Sequence, residues 1–290
     1  MIARETRFPR IAAFFDVDGT LLAAPSLERR LFATLRAQRA IPAQNYLRWL
    51  AHAVRVAPSG WQAILHTNKM YLRGIGSTDI PVCGYSSQGQ AASVNPTRPT
   101  SLALFAAAID QAAWHAFHNH AIVLVSGTLA PLAHQVAVAL TATLAARDLV
   151  TQIGVCATRL ETINNRYTGR IAGQAIFGPA KAEAIRRIAA EQGFDLRRSY
   201  AYGDTHNDRW MLGFVGRPAA VNPTKALERV ARLNDWPVLR WTLSSPAQHA
   251  GSSQHPVNEA TEPFTSHYGS VASACTESRA TGRVVREPRV

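Results

Sequence analysis

The chain has 290 residues, 47% of them hydrophobic and only 17% charged, so it can bury a sizeable core, and 31 Lys and Arg against 19 Asp and Glu leave a net charge of +12. A basic balance suits phosphorylated small molecules, nucleic acid or an acidic membrane surface, but the lack of any basic run or tail argues against nucleic acid. No stretch approaches the ~20 consecutive apolar residues of a membrane-spanning helix. Three scattered cysteines without metal-ligand spacing, Cys83, Cys156 and Cys275, point to a reducing cytoplasm. The apolar run before Asp16 is too short for a signal-peptide core.

Residues 11–15 read as a buried strand that ends in "DVDGT". In an extended strand residues i and i+2 share a side, so Asp16 and Asp18 project together, which makes sense beside a metal ion or where one of the pair carries a proton during chemistry. Gly19 allows the turn that must follow, and Thr20 adds a hydroxyl at the same spot. From about 26 to 74 three segments, "SLERRLFATLRAQ", "AQNYLRWLAHAVRVA" and "GWQAILHTNKMYLRG", repeat apolar residues at three- and four-residue spacing and predict helices. Lys69 and Arg73 then share a helix face and are candidates to contact a substrate anion, while Trp49, Trp61 and Tyr71 read as packing. Residues 75–101 carry no sustained period and read as a flexible insertion.

A helix is expected over 102–118, then a strand covered on both faces, "AIVLVSGT", and a helix over 130–146. The alternation across 151–174, with Asn164-Asn165 as its turn, predicts short strands including a hairpin. "PAKAEAIRRIAAEQG" is a helix opening at Pro179 and closing on Gly193. "SYAYGD" is a further strand, and another helix covers about 224–233. Beyond about 245 the composition predicts a disordered tail. The histidines of "WHAFHNH", His115, His118 and His120, read as the end of a helix before Asn119 rather than as metal ligands, and Cys156 reads as core. Alternating strands and helices predict an α/β fold, a doubly wound parallel sheet whose ligands gather at the carboxyl ends of the strands, with an inserted helical cap. The expected division is a core of 1–24 and 116–244 and a cap of 25–115.

Parallel strands would bring four polar sets to one crevice: Asp16 and Asp18; Ser126, Gly127 and Thr128; Lys181 at a helix start; Asp204 and Asp208. Together these are what phosphoryl transfer requires: hydroxyl and backbone N–H donors, a cation and an in-line nucleophile. The ordered set "FFDVDGT", "VLVSGT", "GPAK" and "YGDTHND" resembles the four motifs of the haloacid dehalogenase superfamily, and a helical insertion straight after the first motif resembles its phosphoserine-phosphatase-like subclass. The resemblance implies a Mg²⁺-dependent phosphomonoester hydrolase acting on a small phosphorylated metabolite. It makes Asp16 the nucleophile that forms an aspartyl-phosphate and Asp18 the general acid and base. Ser126 and the Gly127 amide hold phosphoryl oxygens, with Thr20 beside them, and Lys181 neutralises Asp16. Asp16, the Asp18 carbonyl and Asp204 bind Mg²⁺, with Asp208 in support. Two departures stand out. Thr205 takes the place of a more usual Ser, and Pro25 occupies the position where phosphoserine phosphatases carry a Glu for the substrate amine, with Glu28 a helical turn away. A phosphoserine phosphatase, a phosphotransferase, or a basic protein binding nucleic acid or acidic lipid on an inactive scaffold are the alternative readings.

Overall fold

The computed structural model describes residues 10–59, 67–80 and 102–243. Its centre is a sheet of six parallel strands in the order β3-β2-β1-β6-β7-β8. The strands are β1 (Ala12–Phe15), β2 (Ala121–Leu129), β3 (Ile153–Thr158), β6 (Tyr200–Gly203), β7 (Arg217–Val221) and β8 (Val238–Leu239). Every residue of β1 is buried, and alternate side chains enter different cores. Ala13 and Phe15 join Leu124, Leu21 and Leu132 on one face; Ala12 and Phe14 join Val123, Val125, Ile185 and Leu227 on the other. The apolar run of β1 is thus the signature of a strand covered on both sides. Truncating Phe14 or Phe15 to Ala in such a site costs about 3–5 kcal/mol.

Helices α3 (Ala106–Phe117), α4 (Ala130–Ala145), α5 (Pro179–Gln192) and α7 (Lys225–Leu233) fall close to the expected positions, a short, unexpected α6 (Arg209–Leu212) follows β6, and α3 packs against β2 and α4. The strand β2 runs through Ser126, Gly127 and Thr128 as the sequence indicates, with a register shift against β3. The hairpin β4 (Leu160–Ile163) and β5 (Arg166–Ile171) turns at Asn164-Asn165, both at positive φ, as the sequence indicates. It stands outside the main sheet and bonds to the inserted block: Gly74 N–H donates to the Tyr167 carbonyl, Tyr167 N–H to Ile75 and Ser77 N–H to Asn165.

The inserted block opens with α1 (Leu27–Ala37), whose Ser26 hydroxyl accepts from Arg29 N–H and whose Leu27, Leu31 and Leu35 are buried. It continues with α2 (Ala43–Val56). Of the third expected helix, residues 60–66, with Trp61, lie outside the described residues. Thr67 is helical, but after it comes one 3-10 turn, Met70–Leu72, so Lys69 and Arg73 do not share a helix face. Lys69 is buried and Arg73 is exposed. Tyr71 packs in the core as expected, whereas Trp49 stays 40% exposed. The segment 75–80, expected to be flexible, is fixed by buried Ile75 and Ile80 and by the Gly76–Arg166 bridge. The rest of the expected insertion and the 245–290 tail lie outside the described residues.

His115 is wholly buried, its Nε2 2.9 Å from the Tyr202 hydroxyl and its Nδ1 2.9 Å from His120 Nδ1. Burial above all pushes His115 down to about 3 and the half-buried His120 down to about 4, so both are neutral. His118 instead turns its Nδ1 to the Trp114 carbonyl.

Candidate active site

The carboxyl ends of β1, β2 and β6 and the first turn of α5 meet in one crevice. Asp16 follows the last residue of β1, and its N–H is held by the Tyr202 carbonyl of β6 at 2.9 Å. Lys181 is the third residue of α5, and its ammonium lies 2.6 Å from Asp16 Oδ1 and 2.5 Å from Asp208 Oδ1. Asp208 is fully buried, and its other oxygen accepts from both the N–H and the hydroxyl of Thr205, at 2.8 and 2.7 Å. With both oxygens engaged, Asp208 anchors the lysine and the loop. Thr205 performs the capping that a serine would, so that departure from the usual motif costs no hydrogen bond.

Oxygens of Asp16, Asp204 and Asp208 lie within 4.8 Å of one another, the one such group of potential metal ligands among the described residues. Two glycines make this approach possible. Gly19 has φ +87°, and a β-carbon on it would overlap the Asp204 carboxylate. A β-carbon on Gly203 would stand 2.5 Å from that of Asp208. Asp18 is oriented differently: its Oδ1 accepts the Leu27 N–H at 2.7 Å, at the start of α1, so its carboxylate stands apart from the triad.

The electrostatics follow from burying four carboxylates with one ammonium. Burial, with Asp208 and Asp18, pushes Asp16 up to about 7 although Lys181 opposes it. Burial, Asp16 and Asp208 push Asp204 up to about 9. Burial also raises Asp18, against the Leu27 N–H, and Glu28 adds to the rise. Burial alone would lower Lys181, but Asp16 and Asp208 outweigh it and hold it charged. Three buried oxygens, Thr20 Oγ1, Thr128 Oγ1 and Asp204 Oδ1, have no hydrogen-bond partner among the described residues. Buried polar atoms rarely stay unpaired, so this donor set suits a hard divalent cation at Asp204 and an oxygen-rich ligand at the threonines. Ser126 is buried with its hydroxyl accepting the Thr128 N–H at 3.3 Å.

The structure thus gathers Asp16, Lys181, Asp204 and Asp208 directly, and sets Asp18, Thr20, Ser126 and Gly127 on the same strand ends. It does not bring Lys69 and Arg73 together. Lys69 Nζ instead lies 2.5 Å from Glu28 Oε1, which also accepts from the Tyr71 hydroxyl at 3.2 Å. Sequence reasoning missed a cavity of about 260 Å³ lined by His52, Thr67 and Arg170, where the inserted block meets β5. No local pattern links those residues, since the hairpin that carries Arg170 is joined to the inserted block only by tertiary pairing.

The haloacid dehalogenase-like hydrolase family pattern matches residues 13–213. A Mycobacterium tuberculosis protein named a probable phosphatase is 30% identical over 239 residues, 80% of this chain and 76% of that one. A second protein of that organism, named a phosphoserine phosphatase, is 36% identical over 112 residues, but these are 39% of this chain and 36% of its own length. A solved structure of a Bordetella pertussis protein of unknown function superposes with a TM-score of 0.54 at 24% identity, covering 80% of this chain and 99% of that one. The chain belongs to the haloacid dehalogenase-like hydrolases and stands among their phosphatases.

Proposed function

We propose that the protein hydrolyses a small phosphomonoester through an aspartyl-phosphate on Asp16, with Mg²⁺ as cofactor. The observation that carries this reading is the Lys181 ammonium held between Asp16 and Asp208, with Asp204 in the same carboxylate cluster. Asp16 attacks phosphorus, forming one O–P bond as the ester O–P bond breaks. Asp18, raised by burial so that it can carry a proton, gives that proton to the leaving alkoxide. It then accepts a proton from the water that attacks the aspartyl-phosphate, releasing phosphate and restoring the Asp16 carboxylate. Lys181 balances the charge on Asp16 and on the transferring group, while Ser126, the Gly127 amide and Thr20 face its oxygens. Mg²⁺, held by Asp16, the Asp18 carbonyl and Asp204, would supply further neutralisation of the phosphoryl oxygens.

For the domain division, the packing of α3 on β2 favours a cap of about 25–105 rather than 25–115. The hairpin β4–β5 closes it from the core side. Because Glu28 already faces the ammonium of Lys69, we favour a neutral or acidic phosphomonoester over phosphoserine. The test is a screen of phosphorylated metabolites with Mg²⁺, using wild type and Asp16→Asn, with added alcohols to reveal any transfer of the phosphoryl group. Mg²⁺-dependent release of phosphate, lost in the variant, supports the reading. Equal turnover by both proteins overturns it.

A further inference from the structure

The helix α2 turns an aliphatic stripe away from the protein. At 100° per residue, Leu47, Leu50 and Val54 form one apolar stripe, and these three side chains are 73%, 58% and 68% exposed. The side turned to the protein carries buried Asn45 beside half-buried His52, Ala53 and Val56. Asn45 is fully buried, its amide donating to the Tyr71 carbonyl at 3.2 Å and the Arg73 carbonyl at 2.7 Å, and the buried Asn68 amide donates to the Trp49 carbonyl at 2.7 Å. The helix is bolted down by amide hydrogen bonds and offers its aliphatic face outward. Tyr46 and Trp49, 39% and 40% exposed, flank the stripe on one side, and the exposed Arg48 and Arg55 flank it on the other.

We propose that α2 docks the cap on an anionic lipid surface, with Leu47, Leu50 and Val54 entering the acyl boundary. Charge selects this occupant. The helix has no acidic residue, and residues 26–80 carry eight Arg and Lys against Glu28 and Asp79. Two copies of such a cap would meet with like charges, whereas an anionic surface is complementary to it. A single convex helix with aliphatic side chains at its crest, aromatic rings on one flank and arginines on the other is the arrangement that lies in a lipid interface. No helix among the described residues is long and apolar enough to cross a membrane, so α2 rests on the surface rather than spanning it. The inference is independent of the catalytic reading.

The test is flotation of the full chain with vesicles of phosphatidylcholine alone or mixed with phosphatidylglycerol. The measurement is repeated for Leu50→Glu/Val54→Glu and for Arg48→Gln/Arg55→Gln, with thermal melting and turnover of a soluble aryl phosphate in parallel. Binding to the anionic vesicles is expected, weaker in high salt and on neutral vesicles. The glutamate pair should reduce it roughly tenfold or more, and the glutamine pair should reduce it on anionic vesicles alone. Melting and turnover should be unchanged. Failure to bind anionic vesicles at low salt, or binding that survives the glutamate pair, overturns the proposal. A wild-type dimer that the glutamate pair dissociates assigns the face to a second copy instead. A marked fall in melting temperature shows that the chain covers the face itself.

Discussion

Lys69 Nζ stands 2.5 Å from Glu28 Oε1, so the acidic group that the cap presents near Asp18 already holds an ammonium from the protein itself. Phosphoserine brings a second ammonium, which finds no free carboxylate at Pro25. Its kcat/KM should therefore fall below that of neutral or acidic phosphomonoesters of similar size. Glu28→Gln removes the carboxylate that faces the buried Lys69 ammonium and should lower stability. A panel in which phosphoserine ranks first, with the preference erased by Glu28→Gln, would show that Glu28 serves the substrate and not Lys69.

Asp18→Asn removes the proton donor while leaving an oxygen to accept the Leu27 N–H, so the start of α1 should survive. Its loss of activity should be larger for alkyl phosphates than for aryl phosphates, because alkoxides need the proton and phenolates need it less. Equal losses for the two series would remove Asp18 from the acid role.

Gly19→Ala places a methyl group where the Asp204 carboxylate stands, at a φ of +87° that side chains avoid. The carboxylate must move, so the variant should bind Mg²⁺ more weakly and lose most of its turnover even where it folds. A Mg²⁺ titration followed by activity and by melting temperature checks this. An unchanged midpoint would mean that Asp204 is not a ligand.

The site also sets a pH dependence of stability. Asp16 and Asp204 are raised from an ordinary value of 3.8 to about 7 and about 9, so the folded chain retains protons that the unfolded chain has released. Stability without added metal therefore falls as pH rises from about 4 through these values. Mg²⁺ opposes this by binding the ionised pair, and it should raise the melting temperature more at pH 8 than at pH 5. An equal rise at both pH values would contradict the assignment of these carboxylates.

The core was legible because its signals are local. The apolar run of β1, the Pro179 start of α5 and the Asn164-Asn165 turn each depend on a few adjacent residues, and the motif residues sit at strand ends that topology alone brings together. The cap was not. The three-and-four spacing of α2 announces a helix but not the direction of its apolar face, and buried Asn45 reversed it by bonding to the 3-10 turn around Tyr71. The same turn ended the helix expected through Lys69 and Arg73, since Lys69 folds inward to a glutamate 41 positions earlier. Such long-range pairs leave no period in the sequence.

The aspartyl-phosphate itself offers the most direct test. Rapid acid quenching of the enzyme during turnover of a labelled phosphomonoester with Mg²⁺, followed by peptide mapping, should place the label on the peptide containing Asp16 and nowhere else. Asp16→Asn should carry none and turn nothing over. Sustained turnover with no label on that peptide, or with Asp16→Asn still active, would contradict the account.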